Sequence, residues 1–193
     1  SIYTNVGTAF RAPTANDLED IDIILIDLPD IGARFYTYLW TMSYVLESCE
    51  KYNKPVIVSD RPNPMAHAIQ FAEGPFLHES CSSFIGRFNM PITHHCTFGE
   101  LAQYFKAIYY PNIDLQVLKM QNWNRSENNG YTFFPTSPAI QNRGTIYTYA
   151  GACLFEGLNI NEGRGTDFPF AQFGAPWIDA DLLYNKSKAE LTG

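Results

Sequence analysis

The sequence is short of positive charge: Lys and Arg number 13 against 20 Asp and Glu, for a net charge of −7. That balance argues against a nucleic-acid partner, because neutralising phosphates takes an excess of cations. Long hydrophobic runs are also missing, and nothing approaches the ~18 apolar residues that a membrane-spanning helix needs. The four cysteines (Cys49, Cys81, Cys96, Cys153) are widely spaced and form no Cys-x-x-Cys pair. A zinc ribbon or a thioredoxin-like motif is thereby disfavoured. Their even number permits disulfides without requiring them. No Gly-x-x-x-x-Gly-Lys-Ser/Thr loop and no Gly-x-Ser-x-Gly elbow occurs, so phosphate-cradle and serine-hydrolase chemistry lack support. There is no internal repeat and no low-complexity tract. Nothing after Ser1 reads as a signal peptide, which leaves location open.

What is present is a globular balance. Of 193 residues, 46% are hydrophobic and 17% charged, enough apolar material for a core and too much for intrinsic disorder. The length suits one domain, or one domain and part of a second. The aromatic share of 15% fits a thick core or a sugar-stacking surface, the core being the default.

The segment from Ile21 to Leu28 is short, β-branched and almost continuously apolar, which predicts a strand buried on both faces. Pro29, Asp30 and Gly32 end it. Phe35, Leu39, Met42, Val45 and Leu46 follow at helical spacing, predicting a helix over 34–52. Pro55–Asp60 predicts a second buried strand, and the whole reads as a right-handed βαβ unit with parallel strands. A loop over 61–93, a helix over 98–109 and a strand over 114–120 come next. The stretch 121–142 reads as loop, 145–156 as helix, 157–176 as irregular, and 178–191 as a last helix opened by Asp179 or Asp181. Three strands are fewer than a self-sufficient parallel sheet usually has, so part of a larger α/β fold is expected.

Ligands of open α/β sheets bind beyond the carboxyl ends of the strands. The first strand delivers Asp27, Asp30 and Arg34 there, and the second Asp60, Arg61 and Asn63. Each aspartate could instead cap a turn, and Arg34 could pair with one of them. Glu73 sits beside a Gly-Pro turn that can present it into a cleft. His94 and His95 precede a capping box, Thr97 with Glu100, which gives Glu100 a structural role. One of the two histidines could donate to a substrate hydroxyl. The segment from Glu156 to Thr166 carries three glycines and two asparagines, a contorted backbone suited to aiming side chains. Glu162 could act there as acid, base or nucleophile, and Arg164 could hold a carboxylate bidentately. Carboxylates, aromatics, and Asn and Arg donors together suit carbohydrate chemistry. A glycosidase needs two carboxyl groups, or one and the substrate's acetamido group.

Six segments occur in an order that resembles one family. They are Asp30–Tyr38, Asp60-Arg61-Pro62-Asn63-Pro64, Glu73-Gly74-Pro75, Phe98–Ala102, Glu156–Thr166 and Phe173–Trp177. Together they resemble the exo-β-N-acetylmuramidase family, the NamZ-like proteins, over nearly the whole chain. The resemblance implies a Rossmann-like α/β domain, expected over 1–142, followed by the start of a smaller domain over 143–193. It implies hydrolysis of terminal N-acetylmuramic acid from the non-reducing end of peptidoglycan fragments, with muropeptides as partners. An extracytoplasmic location follows from that substrate, and no cofactor or metal is called for. Family members are about twice as long, and their upstream Pro-Glu-His-Gly-Phe-like block, like their C-terminal portion, is missing here. The family's His-Gly-Met-Thr reads here His94-His95-Cys96-Thr97, its Ser-Pro-Asn reads Ser137-Pro138-Ala139, and its Gly-Gly reads Ala66-His67.

On this reading Glu162 and Glu73 are the candidate catalytic carboxylates. Asp27, Asp30 and Asp60 would bind or orient the sugar, and Arg34, Arg61, Arg164, Asn63, Asn159 and His94 would hold its hydroxyl, acetamido and lactyl groups. Tyr36, Trp123 or Trp177 could stack on a sugar face, with core packing the default for each. The rival expectations are a non-catalytic muropeptide-binding module and an incomplete fragment of such an enzyme.

Overall fold

A computed structural model of the chain describes residues 12–66, 69–126 and 132–191. The chain divides into two compact units, Ser1–Thr132 and Phe133–Gly193. His67, one of the family departures, and 127–131 of the expected loop lie outside the described residues.

In the first unit, α1 (Ala15–Leu18) is a single turn whose Asp17 carboxylate accepts from the Thr14 amide and hydroxyl. Three strands follow, β1 (Ile24–Ile26), β2 (Val56–Ser59) and β3 (Leu115–Leu118). They form one parallel sheet in the order β1-β2-β3, with Ile24 beside Val56 and Val56 beside Leu115. Helix α2 (Tyr38–Lys51) connects β1 to β2, and α3 (Phe98–Ile108) connects β2 to β3. This is the expected Rossmann-like α/β architecture.

Successive strand residues face opposite sides. Ile26, Val56 and Val58 point into a core shared with Leu39, Trp40, Met42 and Leu46 of α2 and Phe98, Leu101 and Phe105 of α3. The Trp40, Phe88 and Phe105 rings meet at 5.6–6.0 Å within it. The other face differs from expectation. Leu25 is 56% exposed and Leu118 46%, so the first strand is covered on one side only. Both connecting helices pack on the same core. An apolar run reports fitness for burial on two faces, not which elements supply the cover.

Helix α2 begins four residues later than its periodicity predicts. The Ala33 backbone is taken by an antiparallel bridge to Thr93, and the Arg34 amide donates to the Ile92 carbonyl at 2.7 Å. Those residues are therefore held in a ladder with a distant loop segment. Helix α3 starts where its capping box predicts. The Thr97 amide donates to Glu100 Oε2 at 2.8 Å, and the Glu100 amide to Thr97 Oγ1 at 3.3 Å.

The second unit contains α4 (Arg143–Ala152), a 3₁₀ turn over Cys153–Gly157, and α5 (Ala180–Leu191). Asn142 caps α4 by accepting from the Thr145 amide at 3.0 Å, so the helix starts two residues earlier than expected and tightens after Ala152. Asp179 accepts from the Leu182 amide at 3.0 Å and opens α5. Asn161 and Gly174 pair across the irregular loop between them. Trp177 is 59% exposed, so the core-packing default fails for it. All four cysteines are free.

Candidate functional site

The carboxyl ends of the strands gather the polar groups that the sequence places there. Asp27 follows β1, and Asp60 and Arg61 follow β2. Residues 59–62, from the last residue of β2 onward, and 120–123, after β3, line an open groove of about 430 Å³, where this fold class binds ligands. Trp123 is one wall of it, with the Arg125 guanidinium 5.4 Å from its ring centre.

Most polar atoms at this end have partners within the fold. Arg61 forks onto Asp27, Nε to Oδ1 at 2.5 Å and Nη2 to Oδ2 at 2.8 Å. That hydrogen bond outweighs partial burial and holds the Asp27 carboxyl below the usual carboxylate range. It likewise holds the Arg61 guanidinium above its ordinary value. Asp60 Oδ1 accepts from the Gly99 amide at 2.7 Å, at the start of α3. Burial raises the Asp60 pKa against the pull of that amide and of Thr97. Asn63 is fully buried; its Oδ1 accepts from the Met65 amide at 2.7 Å and its Nδ2 donates to the Cys96 carbonyl.

Asp30 and His94 are buried together, His94 being 3% exposed. Asp30 Oδ2 accepts from the Gly32 amide at 2.8 Å and lies 3.1 Å from His94 Nε2. Burial disfavours the imidazolium, but the Asp30 charge and hydrogen bond outweigh it and push the His94 pKa up to about 9. The Cys96 amide lies 3.2 Å from Nδ1 and favours the neutral ring. A neutral bond is worth ~1 kcal/mol and one to a charged group roughly twice that, so the carboxylate decides. Neither histidine presents its ring to solvent, since His95 is 6% exposed. Tyr36 is also buried, its ring 5.0 Å from that of Tyr38.

Glu73 stands apart. Its backbone pairs with Thr93, amide to carbonyl at 3.1 Å and carbonyl to amide at 3.0 Å. Its exposed carboxylate makes no hydrogen bond or ion pair among the described residues. Arg34 Nη1 donates to the carbonyls of Pro75 at 2.8 Å and Met90 at 2.5 Å.

The glycine-rich loop of the second unit is an ion cluster. Arg164 Nε donates to Glu162 Oε1 at 2.8 Å, and its Nη2 reaches Glu156. Burial works against the Arg164 charge, but the two carboxylates raise its pKa. Glu162 is 6% exposed. The Asn161 side chain accepts from the Gly163 amide at 2.8 Å, shaping the turn. Gly163 has φ +85°, and a Cβ there would lie 2.6 Å from the Phe168 carbonyl oxygen. Asn159 is exposed. Glu156 as the second partner of Arg164, and Arg125 as the partner of Glu100 and of the Ala66 and His95 carbonyls, carry no signal in sequence spacing. Among the described residues no cluster of three His, Cys, Asp or Glu could hold a metal ion, and no helix is long and apolar enough to cross a membrane.

Residues 1–144 match the family model described as exo-beta-N-acetylmuramidase NamZ, N-terminal, and 147–193 match its C-terminal counterpart. A curated relative, peptidoglycan beta-N-acetylmuramidase NamZ of Bacillus subtilis (strain 168), is 39% identical over 185 residues. The match covers 94% of this chain and 44% of that protein, so the chain spans less than half of the relative's length. Two crystal structures of DUF1343 family proteins from Bacteroides fragilis NCTC 9343 are each 32% identical. Their TM-scores are 0.78 and 0.80, covering 88% and 92% of this chain and 48% and 47% of theirs.

Proposed function

The chain belongs to the exo-beta-N-acetylmuramidase NamZ family, and from that premise we propose that it forms part of a glycoside hydrolase of the peptidoglycan. The reaction is release of terminal N-acetylmuramic acid from the non-reducing end of muropeptide fragments, a substrate that supports a location outside the cytoplasmic membrane. The observation that carries the residue assignment is the state of Glu73, an exposed carboxylate without a partner among the described residues on a backbone paired in both directions. A group that must exchange a proton or form a bond with a sugar has to be available to it. Glu162, engaged by Arg164, is the second candidate.

The substrate's lactyl carboxylate asks for a cation. With Glu162 as the reacting group, Arg164 beside it suits that carboxylate, because Nε and Nη2 are committed internally while Nη1 makes no hydrogen bond among the described residues and the side chain is 56% exposed. Asn159, exposed in the same loop, has a side-chain amide without a hydrogen bond among the described residues, open to a hydroxyl or acetamido group. Asp60, Arg61 and the Trp123 wall belong to the groove at the strand ends. Asp30, Asn63, His94 and Tyr36 are buried and so act through the fold rather than by touching the sugar, and the Asp27 carboxylate is spent on Arg61.

The test is turnover of chromogenic β-linked N-acetylmuramic acid and N-acetylglucosamine reporters by the protein. Release from the first and not the second is expected. A folded protein that binds muropeptides without turning over either reporter would favour the binding-module reading instead.

A further inference from the structure

We propose that Arg34 is a positioning residue: its guanidinium ties the Glu73-Gly74-Pro75 turn to the segment after Met90 and does not itself touch the sugar. The proposal rests on Glu73 being the reacting carboxylate.

The Arg34 Nη1 donates to two backbone carbonyls, Pro75 at 2.8 Å and Met90 at 2.5 Å. It makes no ion pair with a carboxylate among the described residues. Both N–H groups of Nη1 are thereby spent on joining two loop segments, which fixes the guanidinium from the protein side.

Thr93 is the middle rung of a three-segment ladder, bridged on one side by Ala33 and on the other by Glu73. Both backbone groups of Glu73 are committed to Thr93, and Thr93 Oγ1 lies 3.2 Å from the Glu73 amide. The ladder thus fixes the chain up to Glu73. Beyond it, Gly74 turns at φ +90° with its backbone against Ile92, where a Cβ would come within 2.7 Å. Among the described residues, the bond from Arg34 to Pro75 is the hydrogen bond that reaches 74–77. Glu73 is therefore held by the ladder before it and by Arg34 after it.

Arg34 is itself rooted in the core. Its amide donates to Ile92 at 2.7 Å, and its carbonyl accepts from Trp40 Nε1 at 2.7 Å. Trp40 has no exposed surface and lies in the hydrophobic core. A rigid element below thus sets the angle of an exposed acidic turn above, as a reacting group needs.

The experiment compares R34M, R34K and E73Q in the intact protein, with both chromogenic reporters and amide hydrogen exchange. E73Q is expected to abolish turnover. R34M keeps the stem and loses the donors. It should lower kcat on the order of 100-fold, as small misplacements of reacting groups do, with KM within ~3-fold of wild type. Its preference for the N-acetylmuramic acid reporter should be unchanged. R34K keeps one cationic donor and should recover roughly 10-fold of the loss. In R34M the Glu73 and Thr93 amides should lose protection while those of α2 and α3 keep theirs. Three results overturn the role of Arg34 while Glu73 stands: wild-type kcat in R34M; a raised KM with the reporter preference erased, which makes Arg34 the receptor of the lactyl carboxylate; or protection lost throughout the unit. Full activity in E73Q is a different failure. It removes Glu73 from the chemistry, and the proposal with it.

Discussion

His94 shows how a single buried pair couples this fold to pH. Its imidazole gains a proton partner only in the folded state, where Asp30 raises its pKa from 6.5 to about 9. A raised folded pKa contributes stability that is complete below the unfolded value and disappears as pH climbs through the folded one. Urea unfolding should therefore show stability falling between about pH 6.5 and pH 9, by on the order of 3 kcal/mol. His94→Gln should be less stable at pH 6 and nearly flat across that window, and a wild-type curve flat over it contradicts the pairing. Two glycines offer a second test at this scale. Gly163 and Gly165 share φ +85°, but only at Gly163 would a Cβ strike backbone, the Phe168 and Gln172 carbonyl oxygens at 2.6 and 2.8 Å. Gly165→Ala should cost about 1 kcal/mol of left-handed strain, and Gly163→Ala a further ~1–3 kcal/mol for the clash, as thermal unfolding would show.

Elements whose signals are local were legible in the sequence. Helix α3 begins at its capping box because Thr97 and Glu100 satisfy each other within four residues. Thr97→Ala should cost ~1 kcal/mol while Thr97→Ser stays close to wild type, by chemical denaturation. Strands β2 and β3 lie inside the segments their apolar residues mark, and pair in parallel. The start of α2 was not legible, because what removes Ala33 and Arg34 from the helix is the loop segment around Thr93, far along the chain. The same holds for the candidate site. That Asp27, Asp60 and Arg61 collect at strand ends follows from the pattern. That Arg61 takes Asp27 and His94 takes Asp30 are long-range choices no spacing reveals. The placing of Glu73 is likewise long-range, because the residue its backbone pairs with, Thr93, lies in a different loop segment.

The whole sheet is asymmetric. Trp40, Leu46 and Phe105 lie with no exposed surface on one face, while Leu25 and Leu118 remain open on the other. Leu46→Ala should cost about 2–5 kcal/mol, whereas Leu25→Lys should change stability by no more than ~0.5 kcal/mol; equal costs would mean that the second face is covered. Within β1 both faces carry aliphatic side chains, Ile24 and Ile26 on one and Leu25 on the other, which is why the run from Ile21 to Leu28 reads as buried on both sides. At this scale the account turns on one side chain, the exposed carboxylate of Glu73 beside a core-rooted ladder. The most direct measurement is kcat of Glu73→Gln, beside Glu162→Gln, on the chromogenic β-N-acetylmuramic acid reporter. Loss of at least ~1,000-fold at Glu73 with the fold intact by circular dichroism is the expected result, in the range of a missing catalytic group. Turnover within ~3-fold of wild type at Glu73 with collapse at Glu162 would contradict it, and would move the chemistry to the glycine-rich loop.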